Sequence, residues 1–95
     1  MTERDAYVQK MKGQLDEWNA EIDKLQAQAE QKKGDAKLAY EQQINSLRQQ
    51  RDDAQARLAG LQDSTGEAWE QLKAGVDEAW SSLKVSVERA ASAFR

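Results

Sequence analysis

Apolar side chains in the first third of the chain recur at alternating steps of three and four residues. Such steps average 3.5 residues, close to one α-helical turn, so these side chains share one face of a helix. This N-terminal stripe consists of Val8, Met11, Leu15, Trp18, Ile22, Leu25 and Ala29. A row of large apolar side chains this long would expose more apolar surface than soluble monomers normally carry. The stripe therefore predicts that another helix packs against it.

A second stripe continues the helical spacing through the middle of the chain. Its members are Ala36, Tyr40, Ile44, Leu47, Arg51, Ala54, Leu58 and Leu61. Two consecutive steps of four near Tyr40 form a stutter, which loosens a supercoil without ending a helix. Arg51 is the one charged member, and we expect its stem to pack while its guanidinium group reaches outward.

The last third repeats every 11 residues: 67–77 read EAWEQLKAGVD and 78–88 read EAWSSLKVSVE. Eleven residues over three turns keep a stripe on one side of a nearly straight helix. The apolar side carries Trp69, Leu72, Val76, Trp80, Leu83, Val87 and Phe94. The other side carries Glu70, Lys73, Asp77, Ser81, Lys84 and Glu88. The segment is predicted to be an amphipathic helix.

Two places are candidates for helix ends. Ser64 and Glu67 have the spacing of a capping box, which predicts a turn over 63–66 and a helix over 67–95. Gly34, after two lysines, is the other candidate, but one glycine costs a helix only about 1 kcal/mol relative to alanine. No proline is present to force a break. We therefore expect one long helix over residues 1–62.

The expected fold is all-α: an antiparallel coiled-coil hairpin of one long and one shorter helix. A second copy would cover the N-terminal stripe and complete a four-helix bundle as a dimer. The alternative is a monomeric three-helix bundle with a break at Gly34. The predicted oligomer or packing interface is Val8, Met11, Leu15, Trp18, Ile22, Leu25, Ile44, Leu47, Leu58, Leu61, Trp69, Leu72, Val76, Trp80, Leu83, Val87 and Phe94.

Composition argues against catalysis. The 95 residues contain no His and no Cys, which removes the usual general base and the thiolate and imidazole metal ligands. The acidic residues avoid the apolar stripes, so we expect a solvated face, no enzyme activity, no metal and no cofactor. The net charge is −3, so the chain lacks the excess of basic residues whose attraction to phosphate groups supplies most of the affinity for nucleic acid. We therefore expect no nucleic-acid partner.

A membrane-surface role is the alternative function. The amphipathic C-terminal helix could lie on lipid through its tryptophans, as some helices with 11-residue repeats do. Its polar face is nearly neutral, whereas lipid-surface helices favour Lys and Arg there. Core packing is therefore preferred over lipid contact, and docking to another protein's helix is a further possibility. We expect no secretory signal, and no apolar run in the sequence is long enough to span a membrane.

Three segments resemble a family of small bacterial coiled-coil proteins of the stress-response type. They are QLDEWNAEIDKLQAQAE (14–30), AYEQQINSLRQQRDDAQARLAGLQ (39–62) and GEAWEQLKAGVDEAWSSLKVSVERAASAF (66–94). The doubled EAW–LK element is the most specific part. The resemblance implies a cytoplasmic, non-enzymatic protein linked to stress, and it implies no catalytic or ligand-binding residues.

Overall fold

The computed structural model describes residues 2–93, and over that range the chain is all-α. Helix α1 spans Glu3–Glu30, α2 spans Gly34–Gln62 and α3 spans Trp69–Ala93. They form an elongated bundle measuring 51 × 20 × 18 Å. Helix α2 runs antiparallel to α1 and α3, and it packs on both more extensively than they pack on each other.

Helix α1 begins with a capping box that was not predicted. The Thr2 hydroxyl accepts a hydrogen bond from the Asp5 amide at 3.1 Å, and the Asp5 carboxylate accepts one from the Thr2 amide. Such reciprocal bonds satisfy amides that a helix N-terminus leaves without intrahelical partners.

The expectation of one continuous helix over residues 1–62 was wrong. Helix α1 ends at Glu30, and the amides of Gln31 and Lys32 bond back to carbonyl groups of its last turn. Gly34 then has a φ of 63°, in the left-handed region that glycine enters without a steric penalty. Folding back buries the N-terminal stripe against the chain's own helices. That gain outweighs the small preference for a continuous helix.

The second turn also differs from its prediction. Helix α3 begins at Trp69 rather than at residue 67, after a connection over 63–68. Ser64 does not cap α3, because it lies five residues before the first residue of that helix. Its hydroxyl instead donates a 2.7 Å hydrogen bond to the Leu61 carbonyl at the end of α2. The spacing predicted that Ser64 would cap α3, but its hydroxyl satisfies a carbonyl group at the end of α2.

The core contains most of the predicted interface residues, now buried within one chain. Buried members are Val8, Met11, Leu15, Ile22, Leu25, Ile44, Leu47, Leu58, Leu61, Val76, Trp80, Leu83 and Val87. Trp18 and Trp69 are partly buried and pack against this core. Leu72, near the start of α3, is instead 39% exposed. Phe94 lies outside the described residues. The arrangement is that of the alternative three-helix bundle, and pairing of two copies stays a prediction.

Arg51 occupies its stripe position as expected. Its side chain is only 24% exposed, and its guanidinium group reaches the edge of the bundle. There it donates to the Asn19 side-chain oxygen on α1 at 3.2 Å and pairs with Asp52 at 3.0 Å. The charged member of the stripe thus links α1 to α2 without exposing the core.

Candidate functional site in the α1–α3 seam

Helices α1 and α3 run parallel, and two aromatic pairs lie along the seam between them. Tyr7 and Trp69 meet edge to face, with ring centroids 5.6 Å apart. Trp18 and Trp80 meet in a tilted arrangement, with ring centroids 6.1 Å apart. Each pair joins an α1 residue to an α3 residue, so the large aromatic surfaces are concentrated in the seam with the least helix–helix packing.

A groove of about 250 Å³ opens along this seam. It is lined by Lys10, Met11, Gln14, Trp18, Asp77, Trp80, Ser81 and Lys84. The sequence patterns placed three of these residues, Asp77, Ser81 and Lys84, on the polar side of the last helix. They are exposed as expected. They nevertheless border the seam, because each lies within four residues of Trp80 on α3.

The floor of the seam contains a polar atom without a partner. Trp80 is only 4% exposed, and within residues 2–93 its indole Nε1 has no hydrogen-bond partner. A buried donor left unpaired costs about 1–3 kcal/mol.

Tyr7 connects the two helices through its hydroxyl group, which donates a hydrogen bond to the Asp77 carboxylate. Burial, then this hydrogen bond and the nearby negative charge, raises the pKa of Tyr7 well above its ordinary value of 10.0. The Lys73 ammonium lies 5.3 Å from the ring centroid of Tyr7. The protonated phenol is thus the form that the folded seam favours.

This environment predicts alkaline instability. Because the pKa of Tyr7 is raised on folding, its stabilising contribution is complete below pH 10 and is lost as the pH rises above that value. Tyr7→Phe should lose less stability between pH 9 and roughly pH 11.5 than the natural chain does. Urea unfolding followed by circular dichroism measures the difference. Parallel pH profiles of the two chains would contradict the prediction.

Arg4 closes the end of the bundle where all three helices meet. One of its terminal nitrogens lies 2.9 Å from the Leu61 carbonyl oxygen and 2.8 Å from that of Gln62, and it also contacts Ser64. Its guanidinium carbon lies 5.3 Å from the ring centroid of Trp69. A cation at this position binds carbonyl oxygens that have no intrahelical partner at the C-terminus of α2, and it interacts favourably with the negative end of the helix dipole. No sequence pattern indicated this contact, since it joins positions almost 60 residues apart.

The chemistry available in the seam is that of binding and packing. The groove offers two ammonium groups, one carboxylate, one hydroxyl, one amide and two indole surfaces. Among residues 2–93, no cluster of Asp and Glu side chains is arranged to hold a metal ion. None of the described helices combines the length and apolar character that crossing a membrane requires.

Comparison with models of protein families, with curated proteins and with solved structures found no match.

Proposed function

We propose that the chain is a non-enzymatic structural and interaction protein that works by associating helix against helix, first of all with a second copy of itself. The supporting observation is the location of its large apolar side chains. Nearly all of them, including both aromatic pairs, lie in seams between helices. These seams are built from residues at helical spacing, in heptads on α1 and in an 11-residue repeat on α3, and a like helix from another chain could also cover them.

The groove in the α1–α3 seam supports binding over catalysis. Its charged groups and its hydroxyl, on Lys10, Asp77, Lys84 and Ser81, are all exposed, and the Gln14 amide is half-buried. Catalytic acids, bases and nucleophiles usually owe their reactivity to burial or to a neighbouring base such as histidine. The groove supplies neither. It does offer apolar surface rimmed by charge, which is the character of a site for an amphipathic helix.

The resemblance to bacterial stress-response coiled-coil proteins extends this proposal. It suggests a cytoplasmic protein that stabilises other macromolecules under stress, with another protein's helix as a second kind of partner. In that role, exchange of helices between chains would supply the apolar surface offered to a client. A suitable assay measures whether the purified protein slows aggregation of a heat-unfolded client enzyme.

Light scattering coupled to size-exclusion chromatography tests self-association. The chain mass is 10.7 kDa, so a dimer has twice that mass, about 21 kDa. We expect the measured mass to rise from the monomer towards the dimer value as the loading concentration increases from micromolar to millimolar. A constant mass of 10.7 kDa at every concentration would contradict the proposal.

Lipid binding is the second candidate, favoured by the character of α3. This helix separates apolar from charged side chains more completely than α1 or α2 does. Its apolar face is in the core, so α3 would have to leave the bundle before it could lie on lipid. Co-sedimentation with anionic and zwitterionic vesicles, together with a blue shift of tryptophan fluorescence, would support this function. Absence of binding to both vesicle types would remove it.

A further inference from the structure

The turn between α1 and α2 is short and lacks a side-chain cap where α2 begins. It consists of residues 31–33, between the end of α1 and the start of α2. Lys33 occupies the N-cap of α2 and makes no side-chain capping hydrogen bond. Lys33 is extended, and Gly34 after it has a left-handed φ that favours glycine. Since N-cap side chains normally stabilise a helix start, this start is held less firmly than that of α1.

The N-terminal stripe continues across this turn without a change of phase. Val8, Leu15, Ile22 and Ala29 are spaced by seven residues, and the next position in that series is Ala36. The four earlier members are buried, whereas Ala36 is exposed beside the turn. If residues 31–34 became helical, Ala36 would extend the same stripe. No proline opposes this change, and one glycine is tolerated within a helix.

The pairing of α1 with α2 is centred on the turn. Asn19 contacts Arg51, which places the midpoint of pairing at residue 35. Arg4 contacts the Leu61 carbonyl, which places the midpoint of pairing between residues 32 and 33. Two straightened helices lying antiparallel about this centre would bring the same positions together, one from each chain. The contacts between α1 and α2 could therefore form again between two copies.

We propose that residues 31–34 are a hinge through which the closed bundle converts into a domain-swapped dimer. In this dimer, α1 and α2 form one continuous helix, and α1 packs against α2 and α3 of a second copy. The inference rests on the proposed self-association and specifies how it occurs. Exchange of identical elements is a low-cost route to a dimer, because the contacts of α1 with α2 and α3 within a chain are replaced by the same contacts between chains.

Gly34→Ala tests the hinge. Alanine disfavours the left-handed φ of the closed turn and favours the continuous helix, and both effects act in each chain of the dimer. We expect the dissociation constant of the dimer to fall roughly 1,000-fold, measured by analytical ultracentrifugation. Gly60→Ala is the matched control, because Gly60 lies within α2, has open space around it and has no positive φ. It should leave the dissociation constant unchanged.

Asp35→Pro should have the opposite effect to Gly34→Ala, because it disfavours the continuous helix of the dimer. Position 35 lies in the first turn of α2, where a helix tolerates proline, but it would be interior to the continuous helix. We expect this variant to remain monomeric at concentrations where the natural chain dimerises. Its persistence as a dimer would overturn the hinge.

Spin labels measure the opening itself, since the chain contains no native cysteine. Asp16 and Gln55 are exposed and line the same groove between α1 and α2. Labels on cysteines at both positions should lie close together in the monomer and about 58 Å apart along one straight helix in the dimer. Double electron–electron resonance, with labelled chains diluted by unlabelled ones, reports the distance within one chain.

The two proposals fail differently. If a dimer forms but the labels stay close together, self-association stands and the hinge is wrong. If neither the natural chain nor Gly34→Ala forms a dimer at any concentration, self-association fails as well. A long distance in the dimer fraction, with the short one retained in the monomer fraction, supports both.

Discussion

Leu25→Ala is expected to lower the free energy of unfolding by about 3 kcal/mol. Leu25 is 1% exposed and lies on the N-terminal stripe, in the core shared by the three described helices. The substitution removes buried methyl groups and leaves a cavity that rigid helices fill only in part. Small domains have unfolding free energies of only about 5–15 kcal/mol, so this loss is a large fraction of the total.

Leu38→Ala is the matched control for Leu25→Ala. Leu38 is 57% exposed, so the same substitution removes little buried surface there. The free energy of unfolding should change by less than about 0.5 kcal/mol. Urea unfolding of both variants at several protein concentrations makes the comparison. Equal effects at the two positions, or a large effect only at concentrations that produce dimers, would contradict burial of the stripe within one chain.

Arg4→Ala is expected to destabilise the bundle by about 2 kcal/mol. Hydrogen bonds that involve a charged group contribute about 1.5–3 kcal/mol each, and the cation–π contact adds about 0.5–1 kcal/mol at exposed sites. The Arg4 nitrogen has only two hydrogens to share among the nearby carbonyl groups, so their contributions do not add in full. The loss is measured by thermal and urea unfolding.

Arg4→Lys separates charge from geometry. Lysine keeps a cation near the end of α2 but loses the planar group that reaches the Leu61 and Gln62 carbonyls while lying over Trp69. We expect Arg4→Lys to lower the free energy of unfolding by about half as much as Arg4→Ala does. If both variants unfold like the natural chain, the end of the bundle does not depend on this contact.

The positions of the core could be predicted from the sequence because local spacing determines them. Steps of three and four placed Ile22 and Leu25 on one face, and the 11-residue repeat placed Val76 and Leu83 on another. These patterns identify which side of a helix is buried. They do not identify the helix that covers it, since a second copy and the chain's own helices bury the same side chains.

The break at Gly34 could not be decided from local preference. A glycine costs a continuous helix about 1 kcal/mol, whereas folding α1 back onto the chain buries an entire apolar stripe. The larger effect depends on contacts between distant residues, which propensity does not include. Ser64 illustrates the same limit: its spacing to Glu67 fitted a helix start, but its hydroxyl bonds to Leu61 in the preceding helix.

The α1–α3 seam was only partly visible in the sequence. Trp18, Trp69 and Trp80 were predicted to pack, and they do so. Tyr7 lies beside the stripe rather than on it, and its partner Asp77 lies 70 residues away. The available signal was the position of Tyr7 four residues before Met11, which places it on the edge of the apolar face. Its hydrogen-bond partner required the tertiary structure.

Small-angle X-ray scattering extrapolated to zero concentration tests most directly whether one chain covers its own N-terminal stripe. The Cα atoms of the bundle have a radius of gyration of 15.3 Å, so we expect a value close to this from a particle of 10.7 kDa. A long helix over residues 1–62 would be a rod about 90 Å long, with a radius of gyration of about 26 Å. A value near 26 Å that persists on dilution, from a particle of twice the chain mass, would contradict the three-helix bundle.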